Sequence, residues 1–101
     1  YRMALNTEDF RPYGESVIAA LTQWAKAQDG VSLADDNFEG VRVNFSPERG
    51  NGWCLLRMSL HEPLMPLNIE SDDVGGVDKI ANELYPVLKG FDKLDTEKLK
   101  G

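Results

Sequence analysis

The stretch Gly52-Trp53-Cys54-Leu55-Leu56-Arg57-Met58-Ser59-Leu60-His61-Glu62-Pro63-Leu64-Met65-Pro66-Leu67-Asn68-Ile69-Glu70-Ser71 decides the fold. Side chains of a strand alternate between two faces. Counted with that period, Cys54, Leu56, Met58 and Leu60 share one wholly apolar face, and Trp53, Leu55, Arg57 and Ser59 share the other. Past Glu62-Pro63 the alternation resumes, with Met65, Leu67 and Ile69 on one side and Pro66, Asn68 and Glu70 on the other. Two strands joined by so short a connection run antiparallel. Pro66 has no N–H for a ladder, so its strand is expected at a sheet edge, or with a bulge at Pro66.

Working outward, Val41, Val43 and Phe45 alternate with Arg42 and Asn44, which reads as a half-buried strand. The segment Ser46–Gly52, with its proline and glycines, reads as a hairpin-type connection. Val31–Gly40 reads as a polar loop. Residues 12–28 have helical period, with Tyr13, Val17, Leu21 and Trp24 on one stripe, Pro12 in the first turn and Gly30 as a stop. Met3-Ala4-Leu5 is a short apolar patch that suits a strand. Val77, Ile80, Ala81, Leu84, Leu88 and Phe91 recur at three- and four-residue spacing, which predicts a second helix. Asp72, Asp73 and Asp78 favour its positive end, and Pro86 is expected to kink it or end its regular part. Residues 92–101 are charged and expected to fray. The order strand, helix, strands, helix predicts an α+β fold: a two-layer sandwich with an antiparallel sheet of about four strands and two helices on one face, forming a single domain over residues 1–101.

The 101 residues, 42% of them apolar, suffice for one core but not for a deep, fully walled active site. The net charge of −6 argues against non-specific binding to nucleic acid or anionic membranes. It leaves local anion binding open, because salt screens the global field within about 8–10 Å. A single cysteine, Cys54, excludes an intrachain disulfide and suits a reducing cytoplasm. No apolar run approaches the roughly 20 residues of a membrane helix, and no signal peptide opens the sequence. A first residue of Tyr1 is expected of a piece cut from a longer protein, or of a processed one.

Most candidate chemistry has a plainer reading. Gly75-Gly76 precedes a helix, but Asp72 and Asp73 beside it repel a phosphate. His61 and Cys54 are too few for a zinc site, and Cys54 on the core face reads as a small buried hydrophobe. The carboxylate pairs Glu8-Asp9, Asp35-Asp36 and Asp72-Asp73 lie in loops or at helix starts, without the apolar surround that splits pKa values. Arg57, Ser59 and His61 remain. The first two share a strand face and the third follows at the strand end, where backbone N–H groups are free. A guanidinium fork, a hydroxyl, an imidazole and an amide or two suit a phosphate or carboxylate. On the same residues, Arg57 paired with Glu70 or another acidic group is an equally simple reading.

The sequence Glu39-Gly40-Val41-Arg42-Val43-Asn44-Phe45, followed by Gly52-Trp53, Leu56-Arg57, Ser59, Glu62-Pro63-Leu64 and Ile69-Glu70 in that order, resembles the C-terminal domain of the α-D-phosphohexomutases, the family of phosphomannomutase and phosphoglucomutase. The resemblance covers roughly residues 39–90, and its most specific part is the Arg-x-Ser-x-x-Glu-Pro spacing. It implies an antiparallel sheet with two helices on one side, similar to one half of the TATA-binding protein. It implies that Arg57 forks the phosphate of a sugar substrate, that Ser59 donates its hydroxyl, and that Leu60 gives only its backbone N–H where the family often has Asn or Gly. His61 stands where the family usually has Thr. The family moves a phosphoryl group between the 1- and 6-positions of a hexose, using a phosphoserine and Mg²⁺ held by other domains. None of those motifs is present in this chain, so the resemblance implies a domain that binds and orients without catalysing, with no cofactor of its own, whose partners are the phosphosugar and the other domains of one polypeptide. The alternative is a free-standing protein-interaction module whose edge strand, such as residues 64–70, accepts a partner.

Overall fold

The computed structural model describes residues 1–34, 40–59 and 61–99. In chain order the elements are β1 (Arg2–Ala4), α1 (Phe10–Lys26), β2 (Val31–Leu33), β3 (Gly40–Phe45), β4 (Gly52–Arg57), β5 (Leu64–Ser71) and α2 (Gly76–Leu88). The five strands form one sheet in the order β1-β5-β4-β3-β2, and every neighbouring pair is antiparallel. The helices pack on one face, so the architecture is the expected α+β two-layer sandwich.

Period-two counting predicts the buried face correctly. Val41, Val43 and Phe45 of β3, Cys54 and Leu56 of β4, and Met65 and Leu67 of β5 are buried against the helices. Val17, Leu21 and Ala25 of α1 and Ile80, Ala81, Leu84 and Leu88 of α2 complete the same cluster. Tyr13 and Trp24 close its margins, Tyr13 edge-on to Phe91 and Trp24 tilted against Phe45. Gly14 is buried in α1 because Met58 lies against it: a Cβ at Gly14 would overlap the Met58 sulfur. That contact puts Met58 on the helix side and leaves Arg57 and Ser59 facing the opposite way.

The sheet has five strands rather than about four. Val31–Leu33, within the expected polar loop, pairs with β3 as an edge strand in the register Val31↔Phe45, Ser32↔Asn44 and Leu33↔Val43. Three residues carry too little periodicity to identify a strand alone, and only the partner strand defines this one. The aspartates of Asp35-Asp36 lie outside the described residues.

The expectations for Pro66 also need correction. β5 is not an edge strand: it lies between β1 and β4, with Arg2 opposite Pro66 on one side and Leu56 opposite Leu67 on the other. The register continues without a bulge, since the Ser59 N–H reaches the Leu64 carbonyl at 2.9 Å in line with the Leu56↔Leu67 pair. The alternation of bonding explains how the proline fits. The N–H of Leu67 is bonded to the Tyr1 carbonyl on the β1 side, so the nitrogen of Pro66 faces β4, opposite Arg57. Its missing N–H removes one rung at the last β4 position, and β4 stops at Arg57 where a strand reaching Leu60 was expected. Of the strand expected to accept a partner, residues 64–70, the first half is already paired with β1.

The helices shift slightly from expectation. α1 runs Phe10–Lys26 rather than over residues 12–28, with Pro12 still in the first turn, where its missing N–H is harmless. Pro86 lies inside α2, two residues before its end at Leu88. The tail beyond Asp92 does not fray over its described length. Leu94 and Leu99 are buried, Leu5 and Leu94 form a bridge, and the Asn6 N–H donates to Lys93 while the Asp95 N–H donates to Ala4. Two leucines set in a charged run fill the core, Leu94 beside the end of β1 and Leu99 beside α2, long-range contacts that local composition conceals. No helix among the described residues is long and apolar enough to cross a membrane.

Candidate anion-binding site

The connection from β4 to β5 has six residues, 58–63, and is closed by the Ser59 N–H to Leu64 carbonyl bond. Inside it the Leu64 N–H donates to the Glu62 carbonyl at 2.8 Å, and the Leu5 N–H donates to the Pro63 carbonyl at 2.8 Å. The loop is therefore tied to its own strands and to the end of β1. Arg57 is the last residue of β4, Ser59 is the closing residue, and His61 lies exposed within the loop. Leu60 lies outside the described residues. Arg57 and Ser59 are two positions apart on the face away from the helices, and His61 is carried at the same end of the sheet.

Arg57 is half-buried and has no side-chain partner among the described residues. Across the sheet it faces Gly40 on β3, which has no side chain, and Pro66 on β5. It makes no ion pair with any described residue, and its Nε is buried without a hydrogen-bond partner. Leaving a buried donor unmatched costs about 1–3 kcal/mol, more when it belongs to a charged group. Glu70, the carboxylate weighed as its partner, stands instead opposite Trp53, four positions along β4. The nearby face cation Arg42 is stacked at 4.3 Å on the Trp53 ring. Arg57 thus holds a half-buried, charged fork that the described residues leave unmatched.

The loop supplies further donors. The Ser59 hydroxyl and the backbone N–H groups of His61 and Glu62 bond to no described residue, whereas the N–H groups of Ser59 and Leu64 are taken up by the loop itself. Among the described residues past Ser59 the loop amides without a backbone partner are those of His61 and Glu62, while the Leu60 amide that the resemblance implies lies outside them. An open groove of about 590 Å³, lined by Asn6, Thr7, Glu8, Phe10 and Pro63, adjoins the loop. Period counting cannot find such a groove, because it arises where the start of α1 meets the β4–β5 loop.

The other candidates have structural roles. The aspartates before α2 hold its entry turn: Asp73 accepts from the Asn51 amide at 3.1 Å, and its N–H donates to the Ser71 hydroxyl at 3.0 Å. Arg49 pairs with Glu83 and donates to the Asp29 carbonyl, pinning the β3–β4 connection to α2 and to the turn after α1. No group of three or more His, Cys, Asp or Glu side chains suited to a metal gathers among the described residues. Cys54 is fully buried, and desolvation pushes its thiol up to about 12. Since the thiolate is the nucleophile, the folded protein is expected to leave Cys54 unmodified by a disulfide reagent at pH 8, with stoichiometric modification only in denaturant. Rapid modification of the native protein would contradict the burial. No family model matches the chain, and no curated protein matches it in sequence.

Proposed function

We propose that the chain is a phosphate-anchoring domain of the α-D-phosphohexomutase type, in which Arg57, Ser59, His61 and the loop backbone, with Leu60 contributing its N–H, hold the phosphate of a hexose phosphate. The observation that supports this reading is the buried Nε of Arg57, which no described residue matches with a hydrogen bond. A phosphate monoester carries the charge and the paired oxygens that a guanidinium fork matches. In this reading the chain performs no chemistry alone. Phosphoryl transfer between the 1- and 6-positions, and the Mg²⁺ it uses, belong to other domains of a longer cytoplasmic enzyme.

The magnitudes agree with that division. A charge-assisted hydrogen bond nets about 1.5–3 kcal/mol. Three or four of them, less the cost of association and ordering, leave affinity on the order of millimolar. Closure by other domains is then needed to secure the sugar and exclude water. The test is an NMR titration of the isolated chain with inorganic phosphate and with glucose 1-phosphate. Saturable millimolar shifts confined to residues 57–63 are expected, and a spectrum unchanged at tens of millimolar phosphate would remove the assignment.

A further inference from the structure

We propose that Arg2 is a second phosphate-binding cation of the same site, so that one phosphate group sits over Pro66 between two guanidinium forks. The inference rests on the phosphate-anchoring reading of Arg57 and adds a residue from another strand.

The sheet register brings the two arginines together. Reading across the strands on the face away from the helices, one row runs Gly40 on β3, Arg57 on β4, Pro66 on β5 and Arg2 on β1. The Arg57–Pro66 step follows from the Leu56↔Leu67 pair and the Ser59–Leu64 closing bond on either side of it. That Arg2 shares the open face follows from its neighbour: Met3 is buried in the core, so Arg2 projects to the other side and is exposed. With strands about 4.8 Å apart, the two Cα atoms lie about 10 Å apart, with one strand between them.

Three features make the gap a place for an anion. Pro66 has a short apolar ring and offers nothing to either guanidinium, so it forms a low floor between two long side chains. Neither Arg2 nor Arg57 has an ion pair or side-chain hydrogen bond with any described residue. The other face cation, Arg42, is stacked on Trp53, and the face carboxylate Glu70 lies two rows of pairs beyond Arg57. In a chain of net charge −6, two unmatched arginines therefore flank one proline. Like charges at that separation repel in the absence of a ligand and are neutralised together by a phosphate dianion, which has oxygens enough for both forks. Glu62, exposed in the loop, is the opposing charge nearest in sequence and makes the two-cation requirement stricter.

The experiment titrates inorganic phosphate into the chain and its variants at 0.15 M salt, following backbone amides and arginine Nε–H signals. In the wild type, the Nε–H signals of both Arg2 and Arg57 are expected to move with one binding curve. Arg2→Ala is expected to weaken binding about tenfold and Arg2→Lys to recover part of the loss, since the charge remains and the fork does not. Lys26→Ala, at the far end of α1, controls for the general field and is expected to change affinity less than twofold. Because Arg2 is exposed, an unaltered melting temperature separates lost contact from lost fold. If Arg2→Ala binds phosphate as the wild type does while Arg57→Ala does not, the second cation is refuted and the anchoring role of Arg57 stands. If the wild type shows no phosphate response, both fail.

Discussion

Arg57→Ala is expected to abolish the phosphate response of the isolated chain without unfolding it. In a full-length mutase the same change is expected to lower kcat/KM by about 30- to 1,000-fold, the equivalent of about 2–4 kcal/mol for a lost charge-assisted fork. The accompanying stability result is what makes the test specific. An arginine that holds a sheet together through a salt bridge leaves a widowed carboxylate when removed, and stability falls. Arg57 has no such partner among the described residues, and its Nε is buried unmatched. Removing it takes away a desolvated donor as well as the stem's packing, and the two changes oppose one another. The urea midpoint of Arg57→Ala is therefore expected within about 1 kcal/mol of wild type, with an unchanged slope. A loss of several kcal/mol would identify Arg57 as a structural residue and withdraw the functional reading. Wild-type kcat/KM in the full enzyme would do the same.

The legible part of this chain was the part governed by a single local period. Alternation over Trp53–Ser59 and Met65–Ile69 assigned the faces of β4 and β5, and through them placed Arg57 and Ser59 on the open side. Helical spacing found both helices with their apolar stripes. What escaped was set by contacts distant in sequence. Val31–Leu33 is a strand because β3 lies beside it. Leu94 is core because it bridges to Leu5 just past β1, and Leu99 because it closes the core beside α2. Pro66 is the most instructive case. The sequence shows a missing donor there, but a missing donor does not force a strand to an edge. It requires only that the lost rung fall where the ladder can end, and here it falls opposite Arg57. The same proline that ends the pairing offers the neighbouring arginine no side-chain hydrogen-bonding group of its own. The site followed the same division. Arg57, Ser59 and His61 were visible as a spacing. The candidacy of Arg2 depends on β1 pairing with β5 across more than sixty residues of chain, and nothing local announces it.

Leu56→Ala is expected to be the most damaging of the simple core truncations on β4, and its neighbour supplies the control. Leu56 is fully buried between the two helices and the sheet, whereas Leu55, one residue earlier, is half-buried on the open face. Truncating a fully buried leucine removes its transfer free energy and leaves a cavity, at a cost of about 2–5 kcal/mol. Domains of this size have total stabilities of about 5–15 kcal/mol, so the variant is expected to lose a large share of its stability and to melt many degrees lower. Leu55→Ala gives up only the covered part of its side chain, about 1 kcal/mol or less, because the surrounding surface needs no cavity. The two substitutions are chemically identical and one residue apart, so the ratio of their urea-derived losses reads the face assignment directly. If they cost the same, either the open face is covered in solution or the strand sits one residue out of register. In both cases Arg57 no longer projects where an anion can reach it, because a slip of one position would turn it toward the helices. The stability pair thus tests the geometric premise of the phosphate site independently of any phosphate.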